Sequence, residues 1–195
     1  MVFGYFSRKR KNREIVDRLY RQLTQAARNP VYYAQLRVPD TVMGRFEMLS
    51  VIMVLFFRRT GAGGPSLQQL SQDVVDTFFE DMDHALRELG IGDVSVPKRM
   101  KRLAQMFYGR AKACGTALNN NDPVELAEVL HRNIYPKDRR SDSQGEEIGV
   151  DDLQPLARAV IDLDRAFSRL GEAELLDGNL HVADESISQE IRSNG

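Results

Sequence analysis

The sequence predicts an all-α protein: a single helical bundle of about six to eight helices, with a central apolar helix, a basic N-terminal arm and an acidic C-terminal extension. Three observations predict it. Apolar residues recur at three- and four-residue spacing in one segment after another. No stretch of any length alternates with the two-residue period of a strand. Proline, glycine and asparagine clusters divide the periodic segments into pieces of helix length.

The central helix is expected over Thr41–Arg59. Every residue from Met48 to Phe57 is apolar except Ser50, so no face is left for water and the helix belongs in a core or a membrane. A bilayer requires about 20 apolar residues in a helix. This run is half that length and follows directly on Arg45 and Glu47, so it reads as the core of a bundle. Pro39 holds Val38 extended and Asp40 is placed to cap the first free N–H groups. Arg58 and Arg59 stand at the carbonyl end, where the helix dipole favours cations. Gly61-Ala62-Gly63-Gly64-Pro65 ends the element.

The other helices follow in order. Residues 1–13 form the arm, with Phe3, Tyr5 and Phe6 beside Arg8, Lys9, Arg10 and Lys11. Aromatics next to cations suit an anionic membrane face; a solvated arm and a nucleic-acid contact are the other readings. Glu14–Arg28 carries a one-sided stripe, and Asn29-Pro30 ends it and caps a short turn. Ser66 to Gln69 has capping-box spacing, with Leu67, Leu70, Val74, Phe78, Met82, Ala85 and Leu89 facing the core. Gly90–Ser95 connects to a helix from Pro97 to about Leu118. Asp122-Pro123 starts the next, which closes at Tyr135-Pro136. Residues 137–150 read as a linker. Beyond it Leu153, Leu156, Val160, Leu163, Phe167 and Leu170 form a seam that either closes over the bundle or takes a partner helix. The expected organisation is arm 1–13, helical domain 14–136, linker 137–150, and an amphipathic helix with an acidic tail over 151–195.

Charge is balanced in total, 27 Lys and Arg against 28 Asp and Glu, but unevenly placed. Residues 141–195 hold 13 acids and 4 Arg, a net of −9, which leaves +8 on residues 1–140. This suggests a basic, partner-facing body with an acidic tail, or neutralisation within the chain. The single cysteine, Cys114, excludes a disulfide framework and reads as a small packed side chain. The N-terminus has no apolar signal core and is short and Lys-rich for a transit peptide, so a cytoplasmic protein is expected, peripheral to a membrane where the aromatic-basic arm binds one.

Catalytic signals are sparse. Asp81-Met82-Asp83-His84 and Glu128-Val129-Leu130-His131 each place a carboxylate three residues before a histidine. With Glu47, such pairs resemble the ligands of a di-metal carboxylate bundle enzyme, the first alternative function. Helical angles turn Glu128 away from its apolar face, which argues against that site. No glycine-rich phosphate loop, zinc spacing or triad is present. We expect no catalytic residue, no metal and no cofactor.

A different feature stands out in Pro97–Arg110. Lys98, Arg99, Lys101 and Arg102 crowd the first turns of a helix, where each cation opposes the macrodipole by about 0.3–1 kcal/mol. No acid lies between Lys98 and Lys112. A local conflict of this kind points to function, here binding of an anionic surface, or else to pairing with acids such as Glu80–Asp83. The candidate partner-binding residues are Lys98, Arg99, Lys101, Arg102, Tyr108 and Arg110. The candidate membrane contacts are Phe3, Tyr5, Phe6, Arg8, Lys9, Arg10 and Lys11. An RNA- or ribosome-binding protein is the second alternative.

Three stretches, LRVPDTVMGRFEML (Leu36–Leu49), FFEDMDHALRELGIGD (Phe78–Asp93) and VPKRMKRLAQMFYGR (Val96–Arg110), resemble the ubiquinol–cytochrome c chaperone family, the assembly factors for cytochrome b. The resemblance covers roughly 29–136 and looks like a bacterial member. It implies an all-helical, non-enzymatic protein that receives newly made or apo cytochrome b during assembly of the ubiquinol–cytochrome c reductase complex, respiratory complex III. Mitochondrial relatives work with a second assembly factor and near the ribosomal exit. A ribosome contact here is only weakly implied, and no catalytic residue carries over.

Overall fold

The computed structural model describes residues 2–88, 96–136 and 146–180, the side chains of residues 2–11, 86 and 96 excepted. The protein is all-α, with no β-strand among the described residues. Its helices are α1 (Val2–Ala27), α2 (Pro30–Ala34), α3 (Val42–Gly61), α4 (Pro65–Glu88), α5 (Val96–Asn120), α6 (Pro123–Ile134), α7 (Gln154–Ser168) and α8 (Glu172–Leu176), with a 3-10 turn at Asp151–Leu153 before α7.

Helix α3 is the centre, as its apolar run requires. Residues Met48 to Phe56 are all buried, and α1, α4, α5, α6 and α7 pack around it. Ser50, the polar break in the run, donates its hydroxyl to the Phe46 carbonyl at 2.8 Å, so its burial leaves no orphan group. The cap differs from expectation. Thr41 accepts from the Gly44 N–H at 3.1 Å, while Asp40 turns outward to Arg45 at 2.7 Å. Asp40 lies one residue too early to reach the first turn. Gly44 is demanded by close packing: a Cβ there would lie 1.9 Å from the Pro39 carbonyl oxygen.

Proline and Asx starts fall where the sequence places them. Asn29 accepts from Val31 N–H at 3.1 Å with Pro30 at the first position. Asp122 accepts from the N–H groups of Val124 and Glu125 at 2.8 and 3.2 Å, which satisfies two of the donors that a helix start leaves free. Helix α4 starts one residue before the expected Ser66 cap, with Pro65 in its first turn. Its core face is Leu67, Leu70, Val74 and Phe78; Met82 is half-buried and Ala85 is exposed. Helix α1 begins at Val2. The stretch read as an arm is therefore helical, because nothing between Val2 and Glu14 breaks a helix except the tolerated Gly4. The side chains assigned to membrane contact, Phe3 to Lys11, lie outside the described residues. So do the connection Gly90–Ser95, residues 137–145 of the linker, and His181 with the end of the tail.

The seam closes on its own bundle. Leu153, Leu156, Val160, Leu163, Phe167 and Leu170 are all buried, docked against α6 and α3. The two arginines that end α3 fasten this layer. Arg58 forks onto Asp164 (Nε to Oδ1 2.9 Å, Nη2 to Oδ2 3.3 Å) and reaches the Gly115 carbonyl and Asn119. Arg59 donates twice to the Leu170 carbonyl. At the far end, the Gln22 amide donates to the Gly178 carbonyl at 2.8 Å and accepts from Leu180 N–H at 2.9 Å, which ties residues 178–180 to α1.

Candidate functional site

Helix α5 carries six cations and no carboxylate along its 25 residues. Its inner side is set by Phe107, Cys114, Ala117 and Leu118, all buried. At about 100° per residue, that leaves Lys98, Lys101, Arg102 and Lys112 on the opposite arc, and all four are exposed. Arg99 is also exposed but lies about 60° beyond that arc, on the side of the helix that carries Arg110. None of these five cations has an ion-pair partner among the described residues, whereas Arg45, Arg58, Arg87 and Arg165 each sit beside a carboxylate. Two acids of α4 are engaged elsewhere: Asp83 holds Arg87 at 2.7 Å, and Asp81 accepts the Tyr20 hydroxyl at 2.7 Å. Burial, then Asp81, raises the Tyr20 hydroxyl above its usual range.

Tyr108 stands on the same outer side, 58% exposed. Its ring rests edge-on against Phe107 at 5.6 Å and tilts over Phe79 at 6.4 Å. Those rings continue inward through Phe78, Phe57 and Phe46, so the exposed tyrosine is held by a rigid aromatic wall. Among the described residues the other exposed large apolar side chains are Val42, Met43 and Val124.

Arg110 is not on this surface. It turns inward and meets Glu47 at 2.6 Å, the two side chains being 10% and 4% exposed. Its guanidinium also lies 5.5 Å from the Phe46 ring. Position explains the difference: Arg110 falls on the flank of α5 that crosses α3, opposite the outer arc. The pair is incompletely satisfied, because Arg110 Nε and Nη1 are buried with no partner among the described residues. Burial pushes the Glu47 carboxyl up to about 7 against the opposing pull of Arg110. Beside it Cys114 is buried, free, and pushed up to about 11 by the same desolvation. The thiol is a packing group, as expected.

The residues of the di-metal reading are dispersed. Asp81 faces Tyr20, Glu47 faces Arg110, Glu128 is exposed, and His131 bonds the Ile148 carbonyl at 2.8 Å. Among the described residues, no group of three or more His, Cys, Asp or Glu is placed to hold a metal ion. No described helix is long and apolar enough to cross a membrane.

Sequence reasoning missed the Glu47–Arg110 pair, although a signal was present. Glu47 lies one residue before an all-round apolar run, and a carboxylate there demands a cation from a facing helix.

A sequence model described as Ubiquinol-cytochrome C chaperone matches residues 34–183, most of the chain. Among solved structures, the crystal structure of the Cbp3 homolog from Brucella abortus is 41% identical in sequence and superposes with a TM-score of 0.81. That match covers 94% of this chain and 97% of the other. No curated protein matches the chain.

Proposed function

The chain belongs to the ubiquinol–cytochrome c chaperone family, and from that premise we propose that it receives newly made cytochrome b during assembly of the ubiquinol–cytochrome c reductase complex. It acts as a non-enzymatic assembly factor at the cytoplasmic side of the inner membrane. The single observation that carries this reading is the family match, which runs from the last residue of α2 past the end of α8 and so takes in every helix from α3 to α8. The distribution of polar groups supports it. Glu47 is paired with Arg110 and Cys114 is packed in the core, and the outer surface of α5 carries a run of cations with no ion-pair partner among the described residues. In this reading Lys98, Arg99, Lys101, Arg102 and Tyr108 face an anionic surface outside the protein, and the basic start of α1 contributes a second cationic region.

The test is a reduced-minus-oxidised absorption spectrum of membranes from a strain lacking this gene, with and without complementation. Selective loss of b-type haem and of quinol–cytochrome c reductase activity, restored by the gene, is expected. An unchanged spectrum, in cells that make the complex, overturns the reading.

A further inference from the structure

We propose that the outer face of α5 is a docking surface for anionic phospholipid headgroups. The inference takes its setting from the chaperone reading above, while its chemistry stands on the helix itself. Lys98, Lys101, Arg102, Lys112 and Tyr108 fall within an arc of about 120°. From Lys98 to Lys112 the stripe runs about 21 Å at 1.5 Å per residue. No acid interrupts it, and no ion pair neutralises it among the described residues. Two of its cations stand in the first turn and a half, where the helix dipole repels them. A charge pattern that is unfavourable in the isolated fold is satisfied by an external anion.

The shape selects the kind of anion. The stripe is one side of a helix whose other side is locked into the core by Phe107 and Cys114. Single-stranded nucleic acid is held in a cationic groove with several exposed rings for base stacking; this face offers one ring, Tyr108. Cytoplasmic loops of a membrane protein are enriched in Lys and Arg, so the client's own loops are repelled by this face. An anionic bilayer surface instead presents a plane of negative charge that meets Lys98, Lys101 and Arg102 at one end of the stripe and Lys112 at the other. Tyr108, with an apolar ring and a polar tip, suits the headgroup level. The bundle therefore lies on the membrane with α5 downward and leaves its other sides to the client.

Vesicle flotation with the purified full-length protein tests this. The probes are vesicles of phosphatidylcholine alone and vesicles with about one-third phosphatidylglycerol. Binding is expected only to the anionic vesicles, and it weakens as salt shortens the reach of the charges. Each cation near the surface is worth roughly a fivefold change in affinity, so K98Q/K101Q/R102Q lowers binding by about a hundredfold. All three side chains are exposed, and an unchanged circular-dichroism melt shows that the fold is intact. A second variant, R8Q/K9Q/R10Q/K11Q, retains α5-dependent binding. Three results overturn the proposal: wild-type protein that ignores anionic vesicles, an α5 variant that floats like wild type, or α5-dependent binding to ribosomal RNA in place of vesicles. The assay contains no cytochrome b. A failed chaperone reading shows in the membrane spectrum of the deletion strain and leaves the vesicle result standing.

Discussion

Replacing Glu47 by Gln separates two opposite accounts of the buried pair in α3 and α5. Glu47 is 3% exposed and its carboxyl is pushed up to about 7 from an ordinary 4.5. The folded protein therefore holds this proton more tightly than the unfolded chain does. The stability contribution of the group is full below pH 4.5 and is lost as pH rises through 7. Between pH 5 and pH 8, at about 1.4 kcal/mol per unit up to the folded value, the loss is about 3 kcal/mol. Gln has the shape of the neutral acid and no proton to lose. At pH 5 the variant is expected within about 1 kcal/mol of wild type, since Gln keeps a carbonyl for the Arg110 N–H. At pH 8 it gains about 3 kcal/mol on wild type. Urea unfolding followed by circular dichroism at both pH values measures the difference, and all other titrating groups cancel in the comparison. The opposite account makes the pair a well-matched salt bridge that keeps Glu47 ionised. Removing one partner of such a buried pair costs about 3–5 kcal/mol. If the Gln variant is destabilised by that much at pH 8 and by less at pH 5, the reasoning from burial is wrong. The orphaned Nε and Nη1 of Arg110 favour the first account, because a buried pair offsets its desolvation only when its remaining donors are satisfied.

Three further outcomes are expected. Gly44→Ala drives a Cβ into the Pro39 carbonyl. The clash is with backbone rather than a flexible side chain, so a loss of about 1–3 kcal/mol or more is expected in a thermal melt, and an unchanged midpoint contradicts the packing described for Pro39. Arg58→Met removes the fork onto Asp164 along with the bonds to Gly115 and Asn119. Charged hydrogen bonds of this kind contribute about 1.5–3 kcal/mol each in stability, so the variant is expected to unfold earlier in urea, with Asp164→Asn showing a smaller effect in the same direction. Phe167→Ala empties a site that is 1% exposed and costs about 3–5 kcal/mol; a melt like that of wild type means α7 is not docked in solution.

Elements whose signals are local were legible in the sequence. The apolar run of α3, the Asn29 and Asp122 caps, and the seam of α7 each depend on residues within one helix, and each lies where its pattern indicates. What escaped was set between helices. Asp40 and Thr41 are both good caps, and Thr41 is the one that reaches because the first helical residue is Val42, which leaves Asp40 one residue too early. Arg110 belongs by sequence to the basic stretch of α5, but its angle on the helix turns it towards Glu47, some sixty residues earlier. Sequence charge alone does not distinguish a cation that faces water from one that neutralises a buried acid. The length of α1 escaped for another reason: a basic, aromatic start has no strong breaker, so the helix simply continues through it.

The closed seam constrains how a client is held. One way to accommodate an apolar segment of a membrane protein is to lift α7 away and offer its seam. That requires re-exposing Leu153, Leu156, Val160, Leu163, Phe167 and Leu170, all buried. At about 1.5–3 kcal/mol for each large apolar side chain, the cost is roughly 9–18 kcal/mol, which equals or exceeds the whole stability of a typical domain, about 5–15 kcal/mol. The Arg58–Asp164 fork and the Arg59 bonds to Leu170 add to it. Lifting α7 would amount to unfolding the bundle, so a client segment is held by the folded surface rather than by an opened seam. The same arithmetic covers α3, whose apolar run is enclosed by five helices. On the proposed function, recognition then falls to what the fold already exposes, which among the described residues includes the apolar Val42 and Met43 at the start of α3, while the proposed membrane contact uses the cationic stripe of α5.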